Sequence, residues 1–271
     1  MERILYTGIG YAAIRYVVLI LAFLKTILIA YFLGPELLGT YAVIILIVEY
    51  LNYINLGVFN SMSRDVALYL DDQNKEKDIE KVIGNTLGFG LIASSCLLVI
   101  VCILFVIPNS VISQASYEYL PMIFLLVIVY QFKQFIVKYI RLYEKYFLLG
   151  SIELIAQLIN LLGVYFFVEI YLVDAVLFSI LISNILLVCV GFLVAKNISF
   201  RFNPKKILYL ITSGMPMLLY SIFLLLFTSV DRAMIAFFYV DIKALGLYQL
   251  ALSLAVGLFT VFNALTFLFQ P

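Results

Sequence analysis

Apolar residues run through this chain in long blocks, separated by short polar connectors. A helix that crosses a bilayer needs about 20 consecutive, mostly apolar residues. Eight stretches qualify: 9–33, 37–60, 83–107, 119–142, 150–169, 172–195, 207–238 and 243–268. The seventh is long. Its opening, "KILYLITSGMPMLL", is expected to start along the membrane surface and then kink or turn inward near Gly214-Met215-Pro216.

The connectors alternate in character. One set carries Arg3, then Arg64, Lys75, Lys77 and Lys81, then Lys138, Arg141 and Lys145, then Lys196, Arg201, Lys205 and Lys206, twelve basic residues in all. The other set, "LGPEL", "IPNSVISQASYEYLP", "EIYLVD" and "YVDIKAL", holds only Lys243. Positive loops stay in the cytoplasm, so the N-terminus and the basic connectors are placed there. The alternation holds across all eight spans and supports their count. The piece at 63–82, with "DDQNKEKDIEK", reads as a solvated loop of mixed charge rather than an acidic metal site.

Within the apolar blocks the polar residues are not scattered. Helix 2 shows Glu49, Asn52 and Asn55; helix 4 shows Gln131, Gln134 and Lys138, with Lys133 offset; helix 5 shows Glu153, Gln157 and Asn160. Helix 7 shows Ser221, Thr228 and Arg232, and helix 8 shows Gln249, Ser253 and Thr260. These spacings put each set on one helical face. A polar stripe on helix after helix suggests faces that converge on a hydrated interior, although Asn and Gln stripes also simply hold helices together.

Composition agrees with lipid as the solvent. The chain is 65% hydrophobic and 12% charged, with a mean hydropathy of +1.15, against about 45–50% and 25% for soluble domains. The net charge of +1 argues against nucleic acid as a partner. There is no histidine, the commonest general base and metal ligand. Cys96, Cys102 and Cys189 sit in apolar runs without metal-ligand spacing and read as core residues. The N-terminus lacks a small-residue cleavage site and reads as a retained first helix. No cofactor, metal or catalytic group is expected.

Charges at bilayer depth cost roughly 2.5–3.5 kcal/mol each and need a reason. Arg15 and Lys25 lie in helix 1, Glu49 in helix 2, Lys133 in helix 4, and Asp231 and Arg232 in helix 7. Four of these six are basic. Arg15 is also placed to snorkel to the interface, and Glu153 to favour the N-terminus of helix 5. Asp231 and Arg232 point about 100° apart on a helix, so each is expected to find a partner on another helix.

One segment is written twice. "IAYFLGPELLGTY" at 29–41 returns as "IAFFYVDIKALGLY" at 235–248, offset by 206 residues at Ile29/Ile235 and by 207 at Gly39/Gly246. Each copy ends an odd-numbered helix and opens the next, and each glycine lets backbones approach. Both copies run in the same direction, as in a parallel repeat with lobes related by an axis along the membrane normal. The repeat unit is then six helices: residues 1–196 form an N-terminal lobe and 197–271 the start of a C-terminal lobe. The reading expects an incomplete, C-terminally truncated transporter.

These residues resemble a family. "LGPELLGTYAV", "NLGVFNSMSRDVA" closing helix 2, "SGMPMLL" opening helix 7, and "SVDRAMIAFF" with "LGLYQLA" are similar to the bacterial polysaccharide (O-antigen type) flippases. Those belong to the multidrug/oligosaccharidyl-lipid/polysaccharide exporter superfamily. The chain departs from that family in stopping after eight helices, and in having Tyr239-Val240-Asp241 where a glycine is common. The resemblance implies an all-α integral membrane protein with two lobes of six or more helices, in the bacterial cytoplasmic membrane. It implies movement of a lipid-linked oligosaccharide of undecaprenyl-pyrophosphate type to the outer leaflet, for O-antigen or capsule synthesis. Membrane lipids and polysaccharide polymerase machinery are the further partners expected.

On that reading Arg15, Lys25, Lys133 and Arg232 would hold the pyrophosphate, and Asn52 and Gln134 would face the sugars. Glu49 and Asp231 would couple to an ion gradient or pair with the bases. Three alternatives stand beside it. A cationic-drug exporter would want a net acidic cavity, whereas the deep charges sum to +2. A membrane-embedded glycan polymerase or ligase would want a sizeable outer loop. The last is an inactive truncated remnant.

Overall fold

Hydrocarbon offers no hydrogen-bond partner to the backbone, so apolar segments of this length are driven into helix. A computed structural model of the chain describes residues 2–70, 76–106, 118–195, 199–239 and 241–269. The connectors at 71–75, 107–117 and 196–198, and the side chains of Arg3, Cys102 and Thr260, lie outside the described residues. Among the described residues the structure is all-α. It comprises α1 (Glu2–Leu51), a 3₁₀ turn (Asn52–Asn55), α2 (Val58–Leu70), α3 (Glu76–Val106), α4 (Leu120–Leu142), α5 (Tyr146–Val194), α6 (Pro204–Met234), a π-helical turn (Ile235–Tyr239) and α7 (Ile242–Phe269). Among the described residues five helices, α1 and α3 to α6, are long and apolar enough to cross a membrane.

Two of them are too long to cross once. A straight helix of 49 residues, the length of α5, would run ~74 Å, more than twice the ~30 Å of a bilayer core. Each contains a break. In α5 it falls at Leu172, with φ 49° and ψ −121°. A β-carbon on Gly163 would sit 2.5 Å from Ser179 Oγ, although in straight helix those positions would lie ~24 Å apart. The two limbs of α5 therefore fold back on each other as a hairpin. In α1 the break is at Gly34, φ 64°, followed by Pro35. Glycine tolerates the positive φ, and proline fits the first turn of the new helix, where its missing N–H costs nothing. Both breaks fall in expected connectors, "LGPEL" and "EIYLVD".

Three local expectations need correction. The loop expected over 63–82 is largely helical: α2 runs to Leu70 and α3 begins at Glu76. Glu76 and Asp78 occupy the first turn of α3, where carboxylates complement the helix dipole. Helix 2 does not run to residue 60. It gives way to the 3₁₀ turn, and Leu56 (φ 46°) and Gly57 (φ 74°) then redirect the chain. The Gly57 N–H donates to Asn55 Oδ1 at 3.0 Å, which caps the turn. Finally, α6 stays helical through Gly214 and Pro216, so no turn out of helix forms there. Gly214 instead meets Gly57 backbone to backbone, and a β-carbon on Gly57 would lie 2.6 Å from Gly214 O.

The chain divides into two compact units. The first comprises Met1–Leu46, Lys145–Leu187 and Val230–Pro271. Here the first limb of α1 runs antiparallel to α7, with Phe23 against Gly257 and Pro35 against Gly246. The two copies of the repeated segment meet each other. A β-carbon on Gly39 would overlap Ile242 O, and one on Gly246 would overlap Pro35 O and lie 2.9 Å from Gly39 N. With the offset of 207 between Gly39 and Gly246, Pro35 corresponds to Ile242. The contact is therefore reciprocal, each residue touching the other's counterpart, as two-fold pairing requires.

The second unit comprises Ile47–Glu144 and Val188–Ser229. One face of α2 (Val58, Phe59, Met62, Val66) is buried with Val82 of α3 and Leu126, Val127 and Ile136 of α4, all 2% exposed or less. Phe135 packs between Phe59, whose ring is tilted to it, and Phe192, on which it stacks, both at 6.3 Å. Tyr50 and Ser229 hydroxyls meet at 2.8 Å, and Tyr53 donates to Ser221 O at 3.1 Å, so the end of α1 and the 3₁₀ turn run antiparallel to α6.

The hairpin in α5 gives two opposite expectations for thermal unfolding in detergent. Leu172→Gly should raise the midpoint, because glycine relieves a conformation that costs a leucine of order 1–3 kcal/mol. Gly163→Val should lower stability by about 1–3 kcal/mol through overpacking against Ser179.

Candidate functional site

The deep charges sit in distinct surroundings. In the first unit Arg15 Nη1 donates to Glu153 Oε2 at 2.9 Å, and its guanidinium lies 6.0 Å from the Tyr11 ring centroid. The pair joins the first limb of α1 to the start of α5, where Gly150 packs on Ile14 and Tyr11. Glu153 thus meets a base on another helix, not the helix N-terminus, and Arg15 is anchored by a carboxylate rather than simply reaching for the interface. Lys25 is half-buried on the same limb. On that limb Leu19, Ala22, Phe23 and Thr26 line a cavity of about 230 Å³ with Ser253, Val256 and Gly257 of α7.

Arg232 is 8% exposed, whereas its neighbour Asp231 is exposed and accepts a hydrogen bond from Tyr248 Oη at 2.8 Å. The two point in different directions, and Asp231 finds its partner on α7 as the helical geometry demands. Residues 231 and 248 meet because α7 (Ile242–Phe269) returns alongside the end of α6.

In the second unit the amide stripes of helices 2 and 4 are drawn into one network. Gln131 Nε2 donates to Asn52 O at 3.0 Å. Asn55 Nδ2 donates to Asn52 O at 3.0 Å and to Gln134 Oε1 at 3.3 Å. Gln131 is 1% exposed and Asn55 9%. Lys138 Nζ donates to Asn60 Oδ1, tying α4 to α2. Lys133 lies off that line, its ammonium 5.2 Å from the Tyr130 ring centroid, a cation–π distance. Glu49 stands one turn before Asn52 and is half-buried. The structure thus brings Asn52 and Gln134 together, with Glu49 on the same helical stripe.

The sequence reading missed one buried carboxylate. Asp65 is 2% exposed. Arg64 Nη2 donates to Asp65 Oδ1 at 2.7 Å and also to Ser213 Oγ of α6. The hydrogen bond to Asp65 pushes the Arg64 guanidinium pKa above its ordinary value. The signal was present: Asp65 falls at i+3 from Met62 and beside Val66, on the apolar stripe of an amphipathic α2.

A family model described as "Polysaccharide biosynthesis protein" matches residues 5–268, nearly the whole chain. No curated protein and no solved structure matches it.

The Arg15–Glu153 pair should show as coupling. Reversing one charge alone, by Arg15→Glu or Glu153→Arg, should lower the unfolding midpoint, and the double reversal should recover most of the loss. A double-mutant cycle on alanine variants is expected to give about 1 kcal/mol, in the range of interhelical polar contacts in membranes.

Proposed function

The chain belongs to the polysaccharide biosynthesis protein family, and from that membership we propose that it is a flippase for a lipid-linked oligosaccharide. With its long apolar helices, membership makes it a multi-pass membrane protein with a role in polysaccharide biosynthesis. The proposal adds eight crossings, counted by dividing α1 at Gly34 and α5 at Leu172. It adds a cytoplasmic N-terminus, from the basic connectors, in a bacterial cytoplasmic membrane. It assigns residues 1–196 to one lobe and 197–271 to the start of a second, on the strength of the repeated segment and its reciprocal contact.

The cargo of this class has an anionic pyrophosphate, a polar glycan and a long isoprenoid tail. Basic groups inside a low-dielectric, water-lined path would hold the pyrophosphate through charge-assisted hydrogen bonds. Lys25, Lys133 and Arg232 are the anchors proposed. Arg15, the fourth base expected from the sequence, is engaged by Glu153 at 2.9 Å. The Asn52 backbone carbonyl and Gln134 Oε1 accept hydrogen bonds around the 3₁₀ turn, and the two amide side chains are proposed to face the sugars. Rocking of lobes alternates access, as in other repeat-built transporters.

The family match over residues 5–268 carries this reading. Its test is translocation of lipid-linked oligosaccharide, read in proteoliposomes or as surface glycan in cells. Lys25→Ala and Lys133→Ala should each reduce it at least tenfold while the protein inserts normally. Arg substitutions at the same positions should retain most activity. Undiminished glycan from both alanine variants would contradict the assignment.

A further inference from the structure

Each limb of α5, before and after Leu172, exceeds the ~20 residues that cross a bilayer core. The turn that joins them therefore falls near the level of lipid headgroups. Close to that turn both limbs line a cavity of about 640 Å³, within the range of small-molecule sites. Its lining combines two kinds of residue. Gly163 is small, and Ala175 and Ser179 are small and buried, whereas Phe166, Tyr171 and Phe178 stand out at 63%, 59% and 53% exposure. Small buried residues among large exposed ones make a groove, and this one opens on a face that hydrocarbon bathes.

The groove offers little polar chemistry. Its polar side chains are Tyr171, Asp174 and Ser179, and Ser179 Oγ already donates to Ala175 O at 2.7 Å. Asp174 is the one charged residue in the lining, and it is exposed. Glu169 stands three residues before the turn, and from Tyr146 to Val194 the sequence holds no lysine, arginine or histidine. The corner of the hairpin is thus negative, with no base of α5 to balance it.

We propose that this groove binds an ethanolamine phospholipid, one acyl chain lying along the aromatic side chains and the ammonium donating to the Asp174 carboxylate. An apolar groove in hydrocarbon takes a chain rather than water, which would find too few polar partners there. The carboxylate then selects the head. A primary ammonium carries N–H donors for it; a choline head carries none; a glycerol or pyrophosphate head adds like charge and is repelled. The last point sets the groove apart from the cargo assignment, on which it does not depend.

Lipid binding to the purified, delipidated full chain tests this without any transport assay. Phosphatidylethanolamine, phosphatidylcholine and phosphatidylglycerol of identical acyl chains are titrated, and bound lipid is read by native mass spectrometry. The ethanolamine lipid should bind about fivefold tighter than the choline lipid, as one ammonium–carboxylate contact near the surface supplies, and the glycerol lipid should bind most weakly. Asp174→Asn should erase the ethanolamine preference, Asp174→Glu should keep it, and Phe178→Ala should weaken all three lipids. The unfolding midpoint of each variant checks that it folds. Equal affinities for the three lipids, or a preference that survives Asp174→Asn, would overturn the proposal. Unchanged binding by Phe178→Ala would place the lipid elsewhere and overturn it too, as would a dimer that closes over this face and takes up no lipid. Any of these failures leaves the flippase reading untouched.

Discussion

The carbonyl oxygens of Pro35 and Ile242 occupy the places that β-carbons would take on Gly246 and Gly39. In lipid no hydrophobic force draws one helix to another, because acyl chains are as apolar as leucine. Association then depends on close packing, and two backbones approach this closely only where both side chains are missing. The contact closes the first unit: it seats the corner of α1 on the opening of α7, while Gly257 receives Phe23 further along. A second glycine pair, Gly57 and Gly214, sets the 3₁₀ turn against α6 in the other unit. The corners where helices break are thus also where backbones touch.

Breaking a helix in an apolar environment exposes backbone groups, and the breaks here differ in how they meet that cost. At Leu56–Gly57 the Asn55 side chain caps the turn, and the Gly57 carbonyl accepts the Asn60 and Ser61 N–H groups at 3.0 and 3.1 Å. At Gly34 the following proline has no N–H to satisfy. At Leu172 a leucine holds a conformation that glycine would adopt freely. The side-chain charges follow similar logic. Arg15 meets Glu153, and Asp231 meets Tyr248. Each of these contacts offsets part of the penalty for placing charge at depth.

Much of this was legible in the sequence because lipid imposes few solutions. The apolar blocks marked the helices. Gly-Pro marked one break and "EIYLVD" the other. The repeated Leu-Gly-x-Tyr marked the closest approach of backbones. What was not legible depended on partners distant in the chain. Nothing local in "AAIRYVV" or "SIELIAQ" says that Arg15 and Glu153, 138 residues apart, will meet. The polarity of "DDQNKEKDIEK" suggested a solvated loop, but its acids favour a helix N-terminus and α3 begins inside it. Pro216 suggested a kink or a turn inward, and α6 stays helical through it while Gly214 packs on Gly57. The amide stripes were visible as stripes. That Gln131 and Asn55 would converge on the Asn52 carbonyl required the 3₁₀ turn, which periodicity does not announce.

The central claim is that two copies of one segment pack on each other as a reciprocal pair. A double-mutant cycle on Gly39→Ala and Gly246→Ala, read as unfolding free energy in detergent or nanodiscs, tests it most directly. The account predicts similar losses from the two single variants, about 1–3 kcal/mol each, and a double variant that loses clearly less than their sum, because one separation of the backbones relieves both clashes. Neutral single variants, or losses that add in full, would contradict it.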